Sequence, residues 1–345
     1  MKSGTITPAA PEAADDDTAP HRGGGPRRLA AFSAGALLLV PTAVAACRVA
    51  DVDAVTPLPQ LLAFLPWMLA PAGVALPLAL LGRRRTVALW AAAVLALLGW
   101  HVRPYDTGLT EDPPGPVAAR LTVLTSNLEF GGATEGLLTV LRRERPDLVF
   151  VQECSLTCAK ALQSRVSTAD YPYRNIVEGD PAEGSAILSR HPLKPAPGVD
   201  SVLAMPGATA TVGELPVNLQ LAHPLPPIPD AVDDWRRELG RLTSYAADAR
   251  DSGRPTLIAG DFNATQDHAA FRRLLEAGEL RDSATLAGAA RTPSWPAAVR
   301  RPLGAQIDHV LVSEDFAVRD ARFLDLADTD HRSLLVTLDL HMRTE

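Results

Sequence analysis

Six short apolar runs along the chain each end in, or lead into, polar side chains able to hold a metal ion or a phosphate. In order these clusters are Ser126-Asn127-Leu128-Glu129, Val151-Gln152-Glu153, Ala222-His223-Pro224, Gly260-Asp261-Phe262-Asn263, Ile307-Asp308-His309 and Asp328-Thr329-Asp330-His331. Carboxylate and amide oxygens suit a hard divalent cation such as Mg²⁺. Histidine exchanges protons near neutral pH. Together these groups could position water, neutralise phosphoryl oxygens and accept a proton, which is what phosphate ester hydrolysis requires. Taken singly, each cluster is ordinary: an Asp-His pair before a strand is commonly a surface turn, and a Glu after a strand is commonly solvated. Their order along one chain is what carries information.

Side chains at the ends of rigid strands can be held in place for chemistry. Leu121–Ser126, Leu148–Val151, Ser185–Leu188, Thr256–Ala259 and Ile307–Val312 read as strands. Val217, Leu219 and Leu221 alternate with polar residues, as do Leu334, Val336 and Leu338, which is the period of a strand. Leu137–Arg143 reads as a helix, and Trp235, Leu239, Leu242 and Ala246 lie at helical spacing as a core face. His309 follows Asp308 along a strand and should point to the opposite face, in a structural role. Trp295, Arg300 and Arg301 could line a substrate pocket or form a solvated loop, and Arg332 could touch phosphate or form a surface ion pair.

The apolar residues are unevenly spread over the 345 residues. Residues 1–28 are rich in Ala, Pro, Gly and Asp and read as a disordered tail. Apolar stretches follow at about 29–49, 58–81 and 87–102, read as three transmembrane helices within 29–103. Prolines interrupt the first two stretches at Pro41, Pro66, Pro71 and Pro77. Arg22, Arg27 and Arg28 precede the first stretch, and Arg83, Arg84 and Arg85 separate the second from the third. The positive-inside rule then places those arginines in the cytoplasm and everything after Val102 outside. Val44-Ala45-Ala46-Cys47 also resembles a lipoprotein cleavage site; cleavage there would still leave the later domain outside. Residues 104–117 read as a Pro- and Gly-rich linker to a domain at 118–345. Cys154 and Cys158 fit either a local disulfide or two buried small residues on one helix face.

The order of motifs resembles the endonuclease/exonuclease/phosphatase (DNase I-like) superfamily over about residues 118–345. Gly260-Asp261-Phe262-Asn263, Ile307–Ser313, Asp330-His331-Arg332 and the glycine-initiated run Glu183–Arg190 carry the resemblance most clearly. It implies an α+β fold, a four-layer sandwich of two packed mixed sheets flanked by helices, with the active site at one end. It implies Glu153 as the main ligand of Mg²⁺ (or Mn²⁺), with Asn127 supporting metal and phosphate. Asp330 is implied as a further metal-site acid, and Glu129 stands where some members carry a metal-associated Asp. Asp261 is implied to orient or deprotonate the water, Asn263 to hold phosphate, and His331 to be the active-site histidine oriented by Asp308. His223 stands where some members place a second histidine, protonating the leaving group or binding phosphate.

Three functional readings remain. The first is hydrolysis of a phospholipid or lipid-linked phosphate or pyrophosphate at the outer membrane face. Three spans plus an external domain are similar in layout to glycopeptide-resistance membrane phosphatases. The second is a tethered extracellular nuclease or phosphodiesterase, and the third a non-catalytic membrane protein that retains the fold. The net charge of −7 falls entirely after residue 117, because nine Lys and Arg balance nine Asp and Glu before it. That acidity disfavours nonspecific nucleic-acid binding, which relies on Lys and Arg neutralising phosphates.

Overall fold

The computed structural model describes residue 1 and residues 25–103, 112–300 and 303–343. Most of the expected tail (2–24, including Arg22), part of the linker (104–111) and Arg301 lie outside the described residues. The chain opens with helices α1 (Gly25–Val49), α2 (Leu58–Ala63), a 3₁₀ turn (Leu65–Met68), α3 (Leu69–Leu81) and α4 (Arg85–Val102). By length and composition, α1 and α4 are apolar enough to cross a membrane. The stretch expected as a third such helix, 58–81, breaks at Phe64 and leaves a shorter apolar piece, Leu65–Leu81. The cause is local: Pro66 sits in the first turn of the 3₁₀ segment, where a missing N–H is tolerated, whereas a continuous helix through it would lose a hydrogen bond. Three membrane-length helices thus become two and an interrupted third. α1 starts at Gly25, inside the expected tail, and Pro41 lies within it without ending it.

Small residues let these helices approach closely. Ala34, Ala72, Ala75, Ala79 and Ala91 are fully buried among them. A Cβ on Gly82 would stand 3.0 Å from the carbonyl of Arg27, so the C-terminus of α3 abuts the first turns of α1. Arg27, Arg28 and Arg83–Arg85 therefore gather at one end of the bundle.

After the linker come β1 (Val117–Asn127), α5 (Thr134–Glu144), β2 (Leu148–Gln152), α6 (Leu156–Arg165), β3 (Tyr173–Val177), β4 (Ser185–Ser189) and β5 (Leu193–Val199). Then follow β6 (Met205–Val212), β7 (Leu215–Ala222), α7 (Val232–Asp251), β8 (Thr256–Asp261), α8 (Ala269–Gly278) and β9 (Arg281–Asp282). The chain closes with α9 (Ser283–Leu286), β10 (Asp308–Val312), β11 (Phe316–Asp325) and β12 (Arg332–His341). One sheet runs β11-β12-β1-β2-β4-β3 and the other β5-β6-β7-β8-β10-β9, both mixed. Val123, Phe150 and Ile187 of the first meet Leu219, Leu257 and Val310 of the second between the sheets. The alternate residues of the same strands turn outward onto helices. Leu124, Val149 and Val151 pack under α5 and α6, while Ala222, Ile258 and Leu311 pack under α7 and α8. The result is the expected α+β arrangement of two mixed sheets flanked by helices. Each fully buried aliphatic side chain contributes about 1.5–3 kcal/mol, so this double-sided core is what holds the strand ends still.

The helical region is docked against α8 and the loops beside it in the second half of the chain. Asp53, in the loop before α2, accepts a hydrogen bond from the backbone N–H of Ala270 (2.7 Å). It thereby caps α8, whose own N-cap residue His268 offers no side-chain bond to that turn. His268 Nε2 instead lies 2.8 Å from the carbonyl of Pro59. Asp267 is fully buried and accepts two bonds from Arg291 (2.7 and 2.9 Å), with Arg48 of α1 at 3.5 Å. Arg291 also donates to the carbonyl of His101, near the end of α4 (2.7 Å).

Candidate active site

The ends of β1, β2, β7 and β8 and the starts of β10 and β12 meet at one edge of the sandwich. Asn127 ends β1 and is the parallel partner of Gln152 on β2, which places Glu153 beside it. β8 and β10 are antiparallel, with Asp261 directly opposite Asp308. Like charges directly opposite on neighbouring strands repel. His331, leading into β12, sits against both: Nδ1 is 2.9 Å from Asp308 Oδ2, and Nε2 is 3.7 Å from Asp261 Oδ2.

One hydrogen-bonded chain joins the expected residues. The amide of Asn127 donates to Glu153 Oε1 (3.0 Å) and Asp261 Oδ2 (3.1 Å). Asn127 Oδ1 accepts from the backbone of Glu129 (3.0 Å), and Glu153 Oε2 accepts from the backbone of Phe130 (2.9 Å). Asn263 donates its backbone N–H to Asp261 Oδ1 (2.8 Å) and its side-chain amide to the carbonyl of Pro224 (3.0 Å), beside His223. His223 Nε2 lies 3.8 Å from Glu153 Oε1. Asp330 Oδ1 lies 3.7 Å from His331 Nε2. Glu129 Oε2 accepts from the backbone of Asp330 (2.7 Å), so this exposed side chain braces the turn before His331.

Backbone geometry shows how tightly these residues are held. Glu129, Phe130, Glu153, Asn263 and Asp328 all have φ between 44° and 65°. For non-glycine residues such a conformation costs on the order of 1–3 kcal/mol and collects at functional sites. Two glycines permit the approach. A Cβ on Gly184 would fall 2.1 Å from the carbonyl of Cys154, next to Glu153, and one on Gly260 would fall 1.9 Å from the carbonyl of Ala222, next to His223. Cys154 and Cys158 form a disulfide with sulfurs 2.07 Å apart, which ties the residue after Glu153 to α6.

The two histidines differ in charge. Burial, reinforced by the positive charge of His331, pushes His223 down to about 3, so it is neutral at ordinary pH. Burial also disfavours a charged His331, yet the carboxylates of Asp308 and Asp261 and the bond to Asp308 push it up to about 10. Burial and the neighbouring Asp308 raise Asp261 to about 7, against the opposing charge of His331 and the bonds from Asn263 and Asn127.

These carboxylates fit a divalent cation. Ligand atoms of Asp261, Asp308 and His331 lie within 4.8 Å of one another. Asp308 Oδ1 is buried without a hydrogen-bond partner. Beside this triad lies Glu153, whose two carboxylate oxygens accept from Asn127 and the Phe130 backbone.

A model of the Endonuclease/Exonuclease/phosphatase family matches residues 124–331, more than half of the chain. The chain belongs to this family. Its members are metal-dependent phosphoester hydrolases, and the matched span contains every residue of the site just described. No curated protein sequence matches the chain. Solved structures share the fold. TDP2 of D. rerio complexed with a single-strand DNA product is 15% identical, with a TM-score of 0.52 over 64% of this chain and 99% of that one. Truncated TDP2 of Caenorhabditis elegans is 14% identical, with a TM-score of 0.50 over 64% and 98%. An AP endonuclease from Archaeoglobus fulgidus is 17% identical, with a TM-score of 0.50 over 63% and 98%.

Other residues took the roles their surroundings gave them. His309 points away from the site, with Nδ1 3.3 Å from Asp282 and Nε2 3.0 Å from the carbonyl of Ala264. Arg332 forms the expected ion pair, with the exposed Asp325 (2.7 Å), but from a buried position. It is buried, donating to the carbonyls of Pro293, Ala297 and Val299 and to Asp325, and so fixes the loop before β10. Trp295 does reach the site, donating from Nε1 to Asp330 Oδ2 (2.7 Å), whereas Arg300 is exposed. Thr329 was missed. Its hydroxyl donates to the carbonyl of Asn127 (3.0 Å) and accepts from the backbone of His331 (3.1 Å), tying β1 to the His331 turn. A Thr inside an Asp-rich turn was the available signal.

Proposed function

We propose that this family member hydrolyses a lipid-linked phosphate or pyrophosphate at the outer face of a cytoplasmic membrane. The observation that carries the reading is the docking. The loop that leaves Asp261 and Asn263 continues directly into Asp267, which meets Arg48 near the end of α1 and, through Arg291, reaches the carbonyl of His101 near the end of α4, and into His268, which meets Pro59 at the start of α2. A phosphoesterase fixed in this way keeps its site at headgroup height. The five arginines at the opposite end of the bundle support a cytoplasmic location for that end. The Cys154–Cys158 disulfide supports an oxidising compartment for the catalytic domain.

In this reading Glu153, supported by Asn127 and with Asp330 nearby, holds Mg²⁺ or Mn²⁺. Such an ion supplies Lewis acidity at the phosphoryl oxygens and the leaving oxygen. Asp261 takes the proton of the attacking water at Oδ2. His331, kept positive and oriented by Asp308, binds a phosphoryl oxygen through Nε2. Asn263 holds phosphate through its amide. His223 is neutral and resists protonation, so it contributes a hydrogen bond to the phosphate or leaving group rather than a charge.

A panel of prenyl diphosphate, phosphatidic acid, sphingomyelin, inositol phosphate and single-stranded DNA tests this, using the full-length protein in liposomes with Mg²⁺ or Mn²⁺. Turnover of the lipid phosphates is the expected outcome; turnover of DNA alone would replace it with the second reading, a tethered nuclease. That alternative is favoured by the fold shared with a TDP2 bound to a single-strand DNA product and by the exposed Arg300.

A further inference from the structure

An unbroken line of aromatic side chains runs from the site to the outer end of the helical bundle. Trp295, bonded through Nε1 to Asp330, has its ring centroid 6.3 Å from that of Phe64. Phe64 lies 5.5 Å from Trp67. Trp67 is 45% exposed although it sits where α2 gives way to α3, beside the ends of the membrane-length helices. These three rings thus belong to two regions far apart in sequence, and the kink at Phe64–Met68 is what turns the bundle's rings toward the catalytic domain. The buried contacts of Asp53, His268 and Asp267 hold the two regions in this register. Gln60, one turn before Phe64, donates to the carbonyl of Pro227 on the loop that follows His223, so the same segment also walls the opposite flank. Next to that carbonyl, Ile228 is 55% exposed, extending the apolar surface.

We infer that Trp67, Phe64 and Trp295 form the track along which the hydrocarbon chain of a membrane lipid phosphate lies while its phosphate occupies the Glu153–Asp261–His331 site. The inference rests on the lipid-phosphate reading and adds which residues read the lipid. The chemistry is suited to the task. Tryptophan combines a large apolar body with one polar N–H, a combination favoured where a surface is apolar at one end and wet at the other. Trp295 occupies that boundary, with its N–H on a site carboxylate and its ring toward Phe64. A single-strand nucleic-acid track would add to such rings a row of cations following the phosphates, and the Trp67–Phe64–Trp295 line is aromatic alone.

The test uses full-length protein in mixed micelles and two prenyl diphosphates, one long-chain and one short enough to dissolve in water. The readout is the ratio of kcat/KM for the long over the short substrate. Phe64→Ala and Trp67→Ala should each lower this ratio about tenfold or more, as expected when burial of part of a lipid chain is lost. The fall should come mainly through KM for the long chain. Leu89→Ala, on the exposed flank of α4, should leave the ratio unchanged and controls for general damage to the bundle. Phosphatidic acid with its short-chain analogue forms a second arm, separating a track general to hydrocarbon chains from one specific to prenyl chains. An unchanged ratio in both Phe64→Ala and Trp67→Ala, in a protein that turns over the long lipid, overturns the track and leaves the proposed function standing. A wild-type protein that hydrolyses neither lipid removes the function and the track together.

Discussion

The two ends of the β-sandwich treat their acidic residues in opposite ways. At the end away from the helical bundle, carboxylates are matched by arginines. Asp339 accepts from Arg120 (2.6 Å) and Arg319 (2.7 Å), Asp315 from Arg343 (2.5 Å), and Asp147 lies 3.7 Å from Arg190. At the site end Glu153, Asp261, Asp308 and Asp330 converge, and among the described residues their ion-pair partners are His223 and His331 alone. One of these is neutral. Acidic groups at the far end are neutralised inside the chain, whereas those at the candidate site are left with less internal compensation. The backbone follows the same division: left-handed Glu153 and Asn263 are at the site, while Arg145 and Glu279 adopt the same conformation as ordinary helix C-caps.

The comparison can be broken most directly by removing the cation. EDTA should abolish turnover, and Mg²⁺ or Mn²⁺ should restore it; undiminished activity in EDTA would show that the site end needs no added charge. Chelation should also lower the melting temperature of wild-type protein, since only the folded site gathers the ligands.

Single substitutions at the same end come next. Glu153→Ala, Asp261→Ala and His331→Ala should each reduce kcat by roughly 10²–10⁴-fold, the range for losing a positioned acid–base or electrostatic group, with folding retained by circular dichroism. Near-normal turnover in all three would remove the catalytic assignment.

A smaller effect should appear at the junction. Asp267→Asn leaves Arg291 and Arg48 facing a neutral partner in a buried setting, a change that costs roughly 3–5 kcal/mol when a buried pair is broken. The melting temperature of the full chain should fall by several degrees. If it does not, the clasp between bundle and domain is not a stabilising contact.

The smallest effect belongs to the far end. The bonds from Arg120 and Arg319 lower the Asp339 carboxyl to about 2. Its folded value lies below that of the unfolded chain, about 3.9. Its contribution is therefore fully present above pH ~4 and is lost as pH falls toward about 2. Asp339→Asn should lower the melting temperature slightly at neutral pH, by less at pH 2–3, and leave turnover unchanged. A large loss of activity would mean that the two ends are coupled.

Much of the layout of the candidate site was legible in the chain. Asn127, Glu153, His223, Asp261, Asp308 and His331 each sit at the border between an apolar run and a polar cluster, and such a border marks where a buried strand reaches the surface. The opposite facing of His309 followed from strand period alone. The paired outer strands β5, β6 and β11 escaped notice because their burial is partial and irregular, and α6 because its apolar face is only three residues wide.

Local sequence determined the order of the motifs, the alternation of the core strands and the apolar character of residues 29–102, because each depends on near neighbours. Tertiary structure decided that Glu129 braces a turn, that Arg332 is buried, and that His223 is neutral while His331 is positively charged. It also decided that the bundle docks against the loop after Asn263, and that Trp295 meets Phe64. Those outcomes depend on which groups share a low-dielectric space once distant segments meet, and sequence separation carries no information about that distance.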